Sequence, residues 1–444
     1  MDAHLSLSTA VTLTPHRAGL RADDDNTVEV LVRIQAPDAP QGHVAERPAQ
    51  AIALVIDRSG SMSGRPIAEA RRCAEYVVSK LRPTDSVSLV QFDNRMQRLW
   101  PAVPLRDGAP LRTAIAGIHA GGNTHLHGGW HEGAETMTDV PGSGLKRVIL
   151  LSDGQANEGL TDASAIAAQC ADWAAKGITT STYGLGNSFN EELMVAMARA
   201  GGGNSYYGDT AEDLMDPFQQ ELELLGNLCL RDLRIAASAP DGVEVTVVNE
   251  LPLTDSGWRL PDLAWGAEAW AVLRLKVPVV TLRPIGELMS VLRVSVEGRS
   301  LAGENVQLER SGLALPIMTP SAFDGLAEDE LVTRRLVELS AADALTRMRA
   351  AAGEGDWPAV DRLLEEASHQ FAGNEWVGAM LEAMKAIASS RSRERMMKES
   401  MYSSTKLRSR LVAKDEDIQF SAAMESIDRP AYLRRKPSQG KGSE

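Results

Sequence analysis

Cysteine is scarce in this chain: three residues in 444, at Cys73, Cys170 and Cys229. An odd number without close spacing fits neither a disulfide framework nor a zinc cluster. Two of the three fall among the apolar positions of helical patterns, where buried free thiols are expected. No apolar run approaches the roughly 20 residues of a membrane span. The start, MDAHLSLSTAV, lacks the basic segment and apolar core of a leader peptide. Basic charge is in deficit, with 46 Lys and Arg against 60 Asp and Glu and a net charge of -14. Phosphate binding needs a basic face, so nucleic acid is excluded as the main partner. These absences together predict a soluble, cytoplasmic protein that binds neither nucleic acid nor membrane.

Apolar residues are plentiful, at 43% of the chain, enough for true cores. The length predicts two to four domains. One stretch stands out: Ala51–Met62, AIALVIDRSGSM. Ala51–Ile56 reads as a strand buried on both faces of a parallel sheet. It ends in Asp57 and a small polar loop, and helical periodicity then runs over Arg65–Leu81. Strand, loop and helix in that order place ligands at the carboxyl end of an open α/β sheet. Asp57, Ser59 and Ser61 offer one carboxylate and two hydroxyls to a single point, a set of hard oxygens suited to Mg2+, Mn2+ or Ca2+. A second apolar strand, Lys146–Leu151, ends in Ser152-Asp153-Gly154, and the glycine turn Gly121-Gly122-Asn123-Thr124 presents a hydroxyl between the two.

The pattern D-x-S-x-S, then Thr124, then Asp153, resembles a von Willebrand factor A domain with a complete metal-ion-dependent adhesion site. The likeness covers roughly Ala49 to Gly226. It implies a doubly wound, mainly parallel, Rossmann-like sheet, which the alternation of strand and helix patterns also supports. By the same resemblance Asp57, Ser59 and Ser61 hold a divalent cation, Mg2+ first, and Thr124 and Asp153 join it directly or through water. An Asp or Glu of a protein partner then takes the open position. In that family, movement of the Thr-bearing loop and of the last helix couples ligation to shape change. With only two carboxylates nearby the ion keeps Lewis acidity and favours an anionic ligand. The resemblance therefore implies a metal-dependent protein-interaction module rather than an enzyme. Similar bacterial proteins serve as intracellular adaptors for MoxR-type ATPases or in kinase and phosphatase signalling clusters.

Other chemistries fit less well. A phosphate-binding loop needs a Lys that Ser59–Arg65 does not contain. A haloacid-dehalogenase-type phosphotransferase requires a second aspartate where Ser59 stands. A metal-dependent phosphatase or hydrolase is the remaining enzyme alternative, although no nucleophile–base pair is evident. His125, His127 and His131, with Glu132, could form a transition-metal site or could simply be polar surface residues around the Thr124 loop. Asp93 and Glu158 could support the metal ligands or could serve only as turn residues.

The flanks follow other periods. Leu5–Leu13 and Thr27–Gln35 read as strands, with Asp23-Asp24-Asp25-Asn26 as the turn between them and residues 37–48 as a linker. Two strands cannot fold alone and need partners later in the chain. Leu228–Ala237, Val243–Asn249, Ala267–Val277 and Leu288–Glu297 supply them in an antiparallel pattern. The expected architecture is an α/β domain inserted in an antiparallel β-sandwich, followed by a helical hairpin. That layout is similar to the integrin β subunit and to several bacterial A-domain proteins. The segments are 1–48 (first sandwich strands), 49–226 (A domain), 227–318 (rest of the sandwich), 319–390 (hairpin) and 391–444 (a partly disordered tail). The hairpin pairs Ala322–Ala352 with Trp357–Ser389 and is loosely similar to a tetratricopeptide unit, which one pair does not establish. The tail carries thirteen basic against eight acidic residues, roughly +5. Its final dozen residues are expected to be disordered.

Overall fold

The computed structural model describes residues 9–39, 49–142, 144–153, 156–186, 189–308, 310–413 and 433. The chain opens with β1 (Ala10–Pro15), β2 (Leu20–Arg21) and β3 (Asn26–Gln35). An α/β unit follows. Its first half is β4 (Ala51–Asp57), α1 (Arg65–Lys80), β5 (Ser86–Phe92), β6 (Met96–Pro104), α2 (Ala109–Ala116) and α3 (Leu126–Thr136). Its second half is β7 (Lys146–Ser152), α4 (Ala163–Ala175), β8 (Ile178–Leu185), α5 (Glu191–Ala200), β9 (Gly202–Gly208) and α6 (Ala211–Asn227).

These six strands form one sheet in the order β6-β5-β4-β7-β8-β9. All pairings are parallel except β5 with β6. β4 lies near the middle and is buried at every position. Ile52, Leu54 and Ile56 pack toward α1, α2 and α6, while Ala53 and Val55 pack toward α3, α4 and α5. Two-sided burial explains why β4 is an unbroken apolar run instead of an alternating one. Helix α3 sits so close to β4 that a Cβ on Gly133 would stand 2.2 Å from Val55 Cγ2. β6 has no counterpart in the sequence reading. It is an exposed edge strand with Pro101 and Pro104, so it shows neither a buried run nor a clean alternation.

α6 runs without a linker into β10 (Leu228–Ser238). After it come β11 (Glu244–Val247), β12 (Leu253–Thr254), β13 (Gly257–Arg259), β14 (Leu263–Ala264), β15 (Ala267–Val277), β16 (Leu288–Arg299), β17 (Asn305–Gln307) and β18 (Ser311–Met318). One sheet has the order β1-β3-β15-β11, and the other β12-β13-β10-β16-β18-β2. β3 finds its second neighbour in β15, in register from Asn26 opposite Val277 to Gln35 opposite Glu268. The two sheets share one apolar core that includes Val30, Val32, Ile34, Leu273, Ile235 and Val294. Arginines of this sandwich reach the α/β unit at the amino ends of its strands. Arg259 donates to the Ala200 carbonyl (3.4 Å) and Arg299 to that of Ala175 (3.2 Å). Ala200 and Ala175 end α5 and α4, where positive charge suits the helix dipole. The opposite end of the sheet carries the loops with Asp57, Thr124 and Asp153.

The C-terminal part is α7 (Pro320–Asp324), α8 (Glu330–Glu354), α9 (Trp357–Gln370), α10 (Glu375–Ser389) and α11 (Arg393–Ser409), with β19 (Val412–Ala413) paired to β15. This corrects the two-helix expectation. The second expected helix is divided at Asn374, whose side chain caps α10 by accepting from the Val377 amide (3.1 Å). α11 falls where a tail is expected. Its buried residues include Lys398, Glu399, Ser400, Ser403 and Ser404, so it has no apolar stripe to detect. Of the last dozen residues, 434–444 lie outside the described residues.

Glu221 of α6 is fully buried and accepts from Arg147 (2.6 Å), Ser181 (2.6 Å) and Asn204 (2.7 Å). Glu221→Ala would leave Arg147 buried without this carboxylate and should lower unfolding stability by about 3–5 kcal/mol. Denaturant unfolding checks this, and a change below about 1 kcal/mol would contradict the burial argument.

Candidate metal centre

Asp57 ends β4 and Ser152 ends β7, so parallel pairing of these neighbours puts two acidic loops side by side. The Asp57 side chain is fully buried. Its Oδ1 accepts from the Ser59 amide (2.8 Å) and its Oδ2 from the Ser152 hydroxyl (2.5 Å). Ser59 Oγ lies 3.1 Å from Ser61 Oγ, and Ser61 Oγ donates to Asp153 Oδ1 (2.9 Å). Asp57, Ser59, Ser61 and Asp153 thus form one hydrogen-bonded cluster. Ser59 and Asp153 are buried, and Ser61 stands exposed at its mouth.

Thr124 comes to this cluster through its backbone. The Gly60 amide donates to the Gly122 carbonyl (2.8 Å), and the Gly121 amide to that of Arg58 (2.7 Å). Those bonds tie the Thr124 loop to the serine loop. Gly122 has φ +82°, and a Cβ there would stand 2.4 Å from Asn94 Oδ1, so the turn requires glycine on both counts. On the other side, the Thr124 amide donates to Asn157 Oδ1 (2.9 Å), and the Asn157 amide donates back to the Thr124 carbonyl (3.2 Å). Asn157 is the residue that sequence reasoning missed. It lies four positions beyond Asp153, and no motif marks it, because its role is a contact across 33 residues.

Asp93 and Glu158 prove to brace these loops. Asp93 accepts from the Arg95 amide (2.8 Å) and pairs with Arg58, whose other nitrogen donates to the His119 carbonyl (3.1 Å). Glu158 accepts from Asn94 Nδ2 (3.0 Å), and Asn94 in turn accepts from the Asn123 amide (2.9 Å). The histidines are used otherwise. His125 Nδ1 accepts from the Gly128 amide and caps α3, His127 lies 2.9 Å from Gln169 Oε1, and Glu132 pairs with Arg98. Among the described residues, no group of three or more His, Cys, Asp and Glu is placed to hold a metal. A zinc-type site at His125, His127 and His131 is therefore not formed.

Burial governs the charge state of the cluster. It pushes the Asp57 carboxyl above its ordinary value, against the hydrogen bonds from Ser152 and Ser59, and the nearby Asp93 charge adds to the rise. Asp153 is pushed up to about 6, first by burial and then by the charge of Asp57. Two carboxylates, held at a cost in free energy beside three hydroxyls, suit a hard divalent cation. The donors are all oxygen, which fits Mg2+, Mn2+ or Ca2+ better than a softer ion. Such an ion would supply Lewis acidity and an anchor for an anionic ligand. The chain's own part is to hold these oxygens together by hydrogen bonds.

An open, mainly parallel sheet covered by helices on both faces, with carboxylates and hydroxyls gathered at its carboxyl end, defines a Rossmann-like α/β domain. Comparison with known proteins agrees with that class. Residues 51–220 match the von Willebrand factor type A domain, and the chain contains such a domain. It is similar to the uncharacterized protein sll0103 of Synechocystis sp., 24% identical over 241 residues, half of this chain and 56% of that protein. It is also similar to YfbK of Escherichia coli, 28% identical over 193 residues, 43% of this chain and 33% of that protein. The chain thus spans about half of one relative and a third of the other. In fold it is similar to a von Willebrand factor type A protein from Catenulispora acidiphila, with a TM-score of 0.65 at 16% identity over 86% of this chain and 91% of that one. Among the described residues, no helix is long and apolar enough to cross a membrane.

The sign of the pH dependence follows from Asp153. Its folded value of about 6 lies above the ordinary 3.8, so between these values the folded state keeps a proton that the unfolded state releases. Stability from this group is lost as pH rises through that window and stays lost at pH 7.5. A cation would restore it there and compete with the proton at pH 5. Mg2+ should therefore raise the melting temperature more at about pH 7.5 than at about pH 5. Thermal melts in Mg2+ and in EDTA check this, and equal shifts at both values would count against cation binding at Asp153. Asn157→Ala should weaken Mg2+ binding roughly tenfold by freeing the Thr124 loop, as read by calorimetry.

Proposed function

We propose that the chain is a metal-dependent protein-interaction module acting as an intracellular adaptor or regulatory protein. A divalent cation, Mg2+ first, is held by Asp57, Ser59, Ser61, Thr124 and Asp153, and an Asp or Glu of a protein partner completes its coordination. One observation carries this reading: two buried carboxylates, one 0% and one 3% exposed, share a hydrogen-bonded cluster with two serines at the rim of the sheet. Buried carboxylates hold their charge when a cation meets them, and a dication with only two such ligands favours a third anion. The domain type is itself one of metal-dependent interaction modules.

A binding role suits the cluster better than catalysis. Its serines bond to carboxylates and to each other, and the adjacent His125 uses Nδ1 to cap its own helix. The intracellular reading draws support from the cysteines, all three buried and free, with thiols that burial pushes up. A MoxR-type ATPase or a kinase and phosphatase cluster is the kind of system such an adaptor would serve.

The test is a pull-down from native lysate with the wild type, with Asp57→Ala, and with the wild type in EDTA. Calorimetry with Mg2+ runs alongside, and circular dichroism controls for folding. The reading expects Mg2+ uptake by the wild type alone, and partners lost in both the variant and the chelated sample. Partners that survive both treatments would place the binding face elsewhere. Turnover of a generic phosphoester that depends on Asp57 would favour a hydrolase instead.

A further inference from the structure

The family resemblance points to the last helix of the domain as the element that moves on ligation, but here α6 is tied down. Glu221 takes four donors from β7, β8 and β9, with Tyr206 OH at 3.3 Å completing the set. The Phe218 ring stacks on Tyr183 with centroids 4.0 Å apart. At the start of α6, the Ala211 amide donates to Glu69 (2.8 Å), and a capping box pairs Thr210 with Asp213. At its end the helix becomes β10 with no intervening residue. Sliding α6 along its axis would break a buried ion pair and three other bonds to Glu221 at once.

The other face of the sheet has a different boundary. Leu126, two residues after Thr124, and Phe92, one before Asp93, share an apolar cluster with Trp130, Phe189 and Met194, and Tyr402 of α11 belongs to it. Tyr402 stacks on Tyr207 with centroids 4.8 Å apart and lies 6.5 Å from Phe189. Tyr207 OH donates to Glu399, and Lys398 stands over the Phe189 ring at 4.3 Å. From the bundle side, Arg349 of α8 pairs with Glu192 (2.8 Å) and Glu191 in the first turn of α5. The other end of α11 is held to α8 by Arg408 and Asp343 (2.8 Å). α11 is therefore both a wall of the metal-binding domain and a member of the helical bundle. Its contact is rich in buried polar groups, the character of an interface between parts that adjust to each other.

We propose that α11, and not α6, couples the metal face to the helical bundle. Resting on the metal reading above, the route runs from the Thr124 loop into the apolar cluster that Leu126 and Phe92 share with Phe189 and Tyr402, against which Tyr207 packs. A close-packed core passes a displacement on instead of absorbing it, so a shift of α3 must be met at Tyr402. Conversely, whatever binds the bundle and moves α11 alters cation affinity by the same factor.

Hydrogen exchange of the full chain in Mg2+ and in EDTA tests this, with Asp57→Ala as the control that takes up no ion. Mg2+ is expected to slow exchange in Glu191–Ala200 and Arg393–Ser409 and to leave Ala211–Asn227 unchanged. Tyr207→Phe, which keeps the ring and removes the bond to Glu399, and Tyr402→Ala should each weaken Mg2+ binding roughly fivefold or more. Leu364→Ala, in the bundle core away from this contact, lowers stability but should keep wild-type affinity. If the wild type binds Mg2+ while α11 stays silent or α6 responds instead, the coupling is wrong and the metal reading stands. The coupling also fails if both tyrosine variants bind Mg2+ as tightly as the wild type does. If the wild type takes up no Mg2+, the metal reading fails and the coupling with it.

Discussion

The register of β4 between β5 and β7 is the constraint on which the rest depends. With Asp57 opposite Phe92 and Ile56 opposite Leu151, the loops that follow all three strands emerge together. A slip of one residue would exchange the two faces of β4 and turn Asp57 away from Ser152. The register is enforced because both faces of β4 are filled by different helices, so each side chain has one acceptable side. The cluster at the sheet's end is a consequence of core packing at its middle.

Burying two carboxylates runs against the hydrophobic effect that builds the sheet. The chain spends hydrogen bonds from Ser59, Ser61 and Ser152 to keep them there, and these do not fully offset the desolvation. Strain of this kind persists where the surroundings over-determine it. Here Asn157, Asn94 and the Arg58–Asp93 pair lock the neighbouring loops from several directions. The loops are positioned by these supports as much as by the cluster residues themselves.

The two flanking parts brace the domain at different places. Sandwich arginines hold the ends of α4 and α5, far from the ligand loops, whereas α8 and α11 press on the start of α5 and on β9 near the rim. One attachment lies at the amino ends of the strands and the other near their carboxyl ends. α6 belongs to the anchored side through Glu221 and its continuation into β10.

The amino-acid sequence alone determined what depends on near neighbours. β4 and β7 could be read because burial on both faces leaves an apolar run, and Asp57, Ser59 and Ser61 because they share one loop. The strand alternation of β3 and β16 was legible for the same local reason. Only the tertiary structure decided the rest. β6 is an edge strand whose ladder, not its pattern, makes it a strand. Asn157 acts across 33 residues on Thr124. α11 buries Lys398, Glu399 and Ser400 by three different contacts, the Phe189 ring, the Tyr207 hydroxyl and its own backbone, which breaks the apolar period that a sequence reader looks for. Periodicity reports apolar residues on a helix's buried face, and it is silent when polar side chains are buried there by contacts brought from elsewhere in the chain.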